Sequence, residues 1–428
     1  MTRTAILLVA ATAVLATAHA RAQRPLSVLD AQAEARAHAP ETAEWQARVA
    51  GAEAIGAQAS RRLREDPSVS SSYVQGGLVG RPDERAWTLG FSQPLDLSGS
   101  WKPRAASAAA DIERTRHERE DGLRALDERV AIAVADLALA QRQLARGQRI
   151  ADLHRLAAAA LRQQFQAGTA PQIDADSAEL DLSNALVSVE QGQGDLEQSR
   201  IRLARLLGRQ GGGDLIVEDL PEAADVSSAP PDVAAFVERD PRVRAAVADV
   251  DAASFERQML ERLVRAPISV AANYSRQTRD IPAGSFLGSP LAGALAANWT
   301  DAELAFNVSV GLPLFNRRRE PLARATGRIL AAEAKLRLAR SDVRAELESS
   351  WAALQAAART LQRVATTTAI IDRDVTFVEQ AVTAGAFDTL TRTLELRRLQ
   401  DAGRRADTAV RDLRAARAAW FRRISGTP

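Results

Sequence analysis

A chain of 428 residues with 46% hydrophobic content can bury a sizeable core, but aromatics are only 4% and much of the apolar content is alanine, which suits long helices with thin seams. Its 56 basic and 54 acidic residues are interspersed, and the net charge of +2 leaves no footprint for nucleic acid. Cysteine is absent, which excludes disulfides, thiolate metal sites and a lipid-modified N-terminal cysteine.

In chain order, residues 1–20 read as a signal peptide: Arg3, an apolar run from Ala5 to Ala16, then Ala18-His19-Ala20 as the cleavage site, with Ala20-Arg21-Ala22 as a near alternative. No later stretch is long and apolar enough for a transmembrane helix, so a membrane crossing by the exported chain must use strands. The first repeat, 21–210, opens with helix from Leu26 to Arg64, interrupted near Pro40 and stopped by Asp66-Pro67. Strands are expected at about 68–79 and 86–97, with Gly76-Gly77 and Gly80-Arg81-Pro82-Asp83 at the turn. A helical hairpin over about 102–207 is broken at Gly168-Thr169-Ala170-Pro171, and residues 211–231 form the linker. The second repeat, 232–428, keeps the order: helix with Pro241, strands at about 268–275 and 303–314, then a hairpin over about 317–424 broken at Gly385. The segments starting at Trp87 and Phe306 lie about 219 residues apart; each ends at Pro-Leu and leads into a long helix. Tyr73 and Tyr274, the two tyrosines, hold matching strand positions.

Periodicity identifies the seams. Leu123, Leu126, Val130, Ala133, Leu137, Ala140 and Leu144 alternate spacings of three and four, and Leu182, Val189, Leu196 and Leu203 recur at sevens. Leu347, Trp351, Leu354, Ala358 and Leu361, then Ile371, Val375, Val378 and Val382, continue the pattern in the second half. Such a repeat keeps a seam against a neighbouring helix and imposes a left-handed supercoil. The strands alternate otherwise: Trp87, Leu89 and Phe91 against Thr88, Gly90 and Ser92; Leu304, Phe306, Val308 and Val310 against Ala305, Asn307 and Ser309. That pattern fits a membrane barrel strand, and equally a half-buried sheet covered by helices. Export without a membrane helix favours the barrel. Four strands cannot close one, so copies must pool them, two giving about eight strands and three twelve, and only the larger leaves room for passage. The expected fold class is mainly α with a small β part, internally duplicated, with long coiled-coil-like helical hairpins and four transmembrane β-strands per chain.

Two motif regions then carry a resemblance. Phe91-Ser92-Gln93-Pro94-Leu95-Asp96-Leu97-Ser98-Gly99 and Leu312-Pro313-Leu314-Phe315-Asn316-Arg317-Arg318 are similar to the two strand-to-helix junctions of the cobalt–zinc–cadmium-type (heavy-metal) branch of the TolC-like outer membrane efflux protein family. The order of elements resembles that family over the whole mature chain. The resemblance implies a homotrimer with a twelve-strand barrel in outer membrane lipid and a helical tunnel through the periplasm. It implies a passive exit duct, for heavy-metal cations, serving an inner-membrane pump of the RND type through a periplasmic adaptor (membrane fusion) protein. The same duct for drugs or type I secreted polypeptides is one alternative; a periplasmic coiled-coil adaptor or structural protein is another. Many relatives carry a lipidated N-terminal cysteine, which this chain lacks.

A duct needs no catalytic group and no cofactor, and none is expected. Neither lysine, Lys102 nor Lys335, lies in a Walker A context, and Glu113 with His117 reads as a solvated pair before it reads as a metal chelate. Candidate functional residues fall in three groups. Gly168, Thr169, Gly385 and Ala386 form the hairpin turns, which by resemblance lie at the periplasmic tip and contact the adaptor; simple chain reversal explains them too. Asp174, Asp176 and Asp388 would make an acidic ring at a threefold aperture, or would serve as first-turn acids on the helix dipole. Trp87, Trp101 and Trp299, with Arg317, Arg318 and Arg319, would anchor the strands at the membrane interface, the arginines meeting lipid head groups or solvent.

Overall fold

The computed structural model describes residues 25–62, 66–76, 84–213, 215–218, 232–263, 268–280, 298–311, 319–383 and 389–424. The expected signal peptide, most of the linker, the loop at 281–297 and the second hairpin turn at 384–388 lie outside them.

Helix α1, Val28–His38, is capped by Ser27, whose hydroxyl oxygen accepts from the Asp30 N–H at 3.1 Å. Proline has no N–H to give a helix interior but suits a first turn, so Pro40 ends α1 and starts α2, Pro40–Ala59. Strands β1, Ser68–Gly76, and β2, Glu84–Leu95, follow, then α3, Trp101–Gln166, at 66 residues, and α4, Gln172–Leu206. The second repeat gives α5, Val233–Arg239, capped by Asp232; α6, Pro241–Arg262; β3, Ile268–Asp280; β4, Asn298–Val310; α7, Arg319–Thr383, at 65 residues; and α8, Thr389–Ile424. Pro241 opens α6 as Pro40 opens α2.

The four strands form one antiparallel sheet in the order β1-β2-β3-β4, so the two repeats meet where β2 pairs with β3, as in Leu89 opposite Tyr274 and Phe91 opposite Ala272. Strands β3 and β4 continue past the alternating stretch, pairing Gln277 with Asp301 and Thr278 with Thr300. The hydrogen-bonded ladder is made by backbone groups, so it runs on through polar residues that carry no apolar face.

The chain divides into two compact units, each drawing on both repeats: one takes 1–47, 118–243 and 339–428, the other 48–117 and 244–338. In the first, Ala31 and Ala35 of α1, Leu126, Val130, Val134 and Leu137 of α3, and Leu203 and Leu207 at the end of α4 make the main core, joined by Leu215 and Val217. Val217 bridges in parallel to Leu26. Full burial of each leucine or valine stabilises by about 1.5–3 kcal/mol. The heptad seams account for Leu126, Val130, Leu137 and Leu203, and Leu347, Leu354, Ala358 and Leu361 of α7 are buried as well. Trp351 and Trp420 pack ring against ring at 5.1 Å. The side chains of Ile371, Val375, Val378 and Val382 lie outside the described set. In the second unit the sheet is accompanied by parts of α2, α3, α6 and α7; there the Ser107 hydroxyl donates to the Ala252 carbonyl at 3.0 Å.

Candidate functional site

The sheet has two unlike faces. On one, Val69 and Tyr73 of β1, Trp87, Leu89 and Phe91 of β2, Val270 and Tyr274 of β3, and Leu304, Phe306, Val308 and Val310 of β4 are exposed, Phe306 at 74%. Register aligns them in rows: Val69 opposite Phe91, Tyr73 opposite Trp87, Tyr274 opposite Leu304, Val270 opposite Val308. Trp87 meets Tyr274 edge-on, with centroids 6.1 Å apart, and with Tyr73 forms an aromatic row. The opposite face is small and polar apart from Val74 of β1. Ser70, Gly90 and Asn273 share a row so tight that a Cβ at Gly90 would come within 2.6 Å of the Ser70 hydroxyl and 2.7 Å of the Asn273 amide oxygen. The hydroxyls of Ser269 and Ser309 are 2.6 Å apart across the strands. An ordinary half-buried sheet turns its apolar face inward; this one leaves it uncovered, which in water would be an association surface.

The first strand-to-helix junction is built by one carboxylate. Asp96 accepts from the Ser98 N–H at 3.1 Å and from the hydroxyls of Ser98 and Ser100, while Gly99 turns with φ +72° and Arg262 donates to the Gly99 carbonyl at 2.9 Å. Burial works to raise the Asp96 carboxyl, but the hydrogen bonds from Ser100 and Ser98 and the charge of Arg104 outweigh it and hold its pKa below the usual range. Trp101 is the first residue of α3, with the cations of Arg62 and Lys102 over its ring at 5.1 and 5.7 Å. Trp299 stands in β4 opposite Arg279, and its side chain is not described. Arg319 opens α7 and is exposed; Arg317 and Arg318 lie outside the described residues.

The first hairpin turn closes on Gly168, whose φ of +73° favours glycine. Its N–H donates to Phe165 O at 2.9 Å, and Thr169 returns both its N–H, at 2.9 Å, and its hydroxyl, at 3.0 Å, to Gln164 O. Asp174 sits half-buried in the first turn of α4, its N–H on Pro171 O at 3.2 Å, and Asp176 is exposed. Gly385, Ala386 and Asp388 lie outside the described residues.

Sequence reasoning missed a ladder of ion pairs between the hairpins, because its partners are far apart in the chain. Arg146 of α3 reaches the buried Asp407 of α8 at 2.8 Å, passing over Gly403, where a Cβ would overlap the guanidinium. Arg411 meets Asp136 at 2.7 Å, and Arg422 meets Glu128 and Asp121 at 2.9 and 3.2 Å. Beside them Glu346 receives Arg242 at 2.8 Å and Arg423. Burial pushes the Glu346 carboxyl up, but the Arg242 hydrogen bond and the charges of Arg423 and Arg422 prevail and lower its pKa. Gly403, a glycine inside a helix without a turn to make, gave no distinct signal, since Gly122, Gly147, Gly192 and Gly194 stand inside helices too. Among the described residues no group of three or more His, Asp or Glu could hold a metal, and no helix is long and apolar enough to cross a membrane.

The fold matches that of CusC, studied for transmembrane channel formation, with TM-score 0.75 and 16% identity over 94% of this chain and 92% of that one. It also matches the outer membrane protein VceC of Vibrio cholerae, TM-score 0.71 and 16% identity over 92% and 95%, and the open state of the Neisseria gonorrhoeae MtrE outer membrane channel, TM-score 0.70 and 15% identity over 92% and 88%. In sequence, the outer membrane efflux protein family matches residues 31–209, the first repeat. That match covers less than half of the chain, and the solved structures show a likeness in fold. No curated protein matches the chain in sequence.

Proposed function

We propose that the chain is the passive outer membrane duct of a tripartite efflux system. The observation that carries this reading is the four-stranded sheet with an exposed apolar face and two edges, β1 and β4, that are unpaired among the described residues. An edge cannot remain open in lipid, so three copies joining β4 to the next β1 complete a twelve-strand barrel. From Trp87 to Leu95 the band runs about 26 Å along the strand, or about 20 Å along the membrane normal at a tilt of about 40°, which suits the apolar belt of an outer membrane barrel. The small face of Ser70, Gly90, Asn273 and Ser309 then lines the lumen.

In this reading residues 1–20 direct export, the helical hairpins form the periplasmic tunnel, and the turns at Gly168 and Gly385 meet the periplasmic adaptor of an RND-type inner-membrane pump. Asp174, Asp176 and Asp388 stand near the aperture, and Trp87, Trp101, Trp299 and Arg317 to Arg319 near the membrane interface. The cargo is a heavy-metal cation, a reading supported by the resemblance of the two junction motifs to the heavy-metal branch. A duct releases rather than retains its cargo, so selection falls to the pump.

The test is fractionation followed by function. The mature protein is expected in outer membranes, extracted by detergent as a trimer, conducting ions in planar bilayers, with its deletion sensitising cells to divalent heavy metals. A freely soluble monomer overturns the duct; sensitivity confined to dyes and drugs overturns the cargo.

A further inference from the structure

The two ends of the sheet carry different charge. At one end the hairpin connections 77–83 and 281–297 contain a single cation and a single anion, Arg81 and Asp83. At the other end strands join helices four times. These connections with their adjoining helix turns, 56–67, 96–104, 259–267 and 311–322, hold ten lysine or arginine residues against five aspartate or glutamate. The net charge of the whole chain is +2, so this level carries an excess of cations that the rest of the chain offsets.

Part of that charge is committed to the fold. Arg104 of α3 donates to the carbonyls of Ala59 and Arg61, which ties the end of α2 to the start of α3, and Arg262 donates to the Gly99 carbonyl. Beside this tie, Arg62 and Lys102 both lie over the Trp101 ring, 5.1 and 5.7 Å from its centroid. Arg61, Arg62 and Lys102 are exposed, and among the described residues no carboxylate pairs with any of the three. Asp96, the carboxylate of this junction, is taken up by Ser98 and Ser100. Further along the same two helices the pattern is different: Arg116 of α3 meets Glu53 of α2 at 2.7 Å, and Arg129 meets Glu41. Arg61 and Arg62 follow the C-terminus of α2, where a cation suits the helix dipole, but Lys102 stands in the first turn of α3 and opposes it. Gathering unpaired cations costs repulsion, which an anion placed among them removes.

Position identifies the anion. The apolar row of β2 ends at Leu95, six residues before Trp101, so the cluster stands where hydrocarbon gives way to lipid head groups. That layer is about 5–7 Å deep on each side of a bilayer. Indole rings favour it, and clustered lysine and arginine attract anionic lipid there. We propose that Arg61, Arg62 and Lys102 bind the phosphate of an anionic phospholipid, with the Trp101 ring beside it at head-group level. The proposal rests on the reading of the sheet as the membrane-spanning part of the duct and names a ligand for its helix-side end.

The test takes the mature protein, purified as a trimer in a neutral detergent, titrates it with lipid and counts bound lipid by native mass spectrometry. Phosphatidylglycerol is expected to bind about tenfold more tightly than phosphatidylcholine, and Arg62→Ala with Lys102→Ala to lose about that factor. Lys335→Ala, which removes the other lysine from the exposed surface of α7, is expected to leave binding unchanged. Equal binding of the two lipids by the wild type overturns the site even where the double variant does not fold, and so does an equal loss in Lys335→Ala; both leave the duct standing. Retention of inorganic phosphate in place of lipid assigns the cluster to the free ion and overturns the lipid. A freely soluble monomer overturns the duct and the lipid site together.

Discussion

Asp407 is a carboxylate at 5% exposure in the middle of a helix, kept there because Arg146 comes over Gly403 to meet it. Removing one partner of such a pair leaves a desolvated charge, so Asp407→Ala is expected to cost about 2–3 kcal/mol, less than a fully buried pair because Arg146 is partly solvated. Thermal unfolding in detergent would read it as a lowered midpoint, and Gly403→Leu should reproduce much of the loss by displacing the guanidinium. Glu346 adds a pH dependence. Its folded pKa lies below the ordinary 4.5, so its stabilisation is complete above that value and drains as pH falls through the folded pKa. Glu346→Gln should flatten stability against pH in the acid limb alone. None of these partners was legible in the sequence: ion pairs between helices depend on which faces meet, and 261 residues separate Arg146 from Asp407.

The elements themselves were far more legible, because each has a local cause. Heptads gave the seams, prolines gave the helix starts, and Gly168 gave the first hairpin turn. Valine at Gly168 would be forced into a left-handed backbone, a strain of about 1–2 kcal/mol with no steric clash to add to it, since nothing lies within 4 Å of its Cβ position. The proposed role of the turns is tested by making Gly168 and Gly385 bulky together: trimer yield should hold while efflux is lost. Strand alternation identified the apolar face but not how far β3 and β4 continue, since their polar ends, such as Gln277 opposite Asp301, obey no hydrophobic period. Phe306→Arg on that face should cost about 2–4 kcal/mol of membrane insertion, while Asn307→Arg on the opposite face should insert normally and alter conductance.

At the level of the whole molecule, repetition explains the architecture better than any single site does. One repeat provides two strands and one helical hairpin, too little to enclose anything, and the chain contains that set twice. The two repeats share strands in one sheet through β2 and β3, and share a helical joint through α3 and α8. Asp407→Ala, at the joint between the hairpins, is therefore expected to lower the yield of detergent-stable trimer along with the unfolding midpoint.

The Cβ position of Gly403 is taken by the Arg146 guanidinium, which reaches past it to Asp407. At 403 the fold therefore depends on missing atoms: even the smallest side chain there has to evict a cation that ties one hairpin to the other.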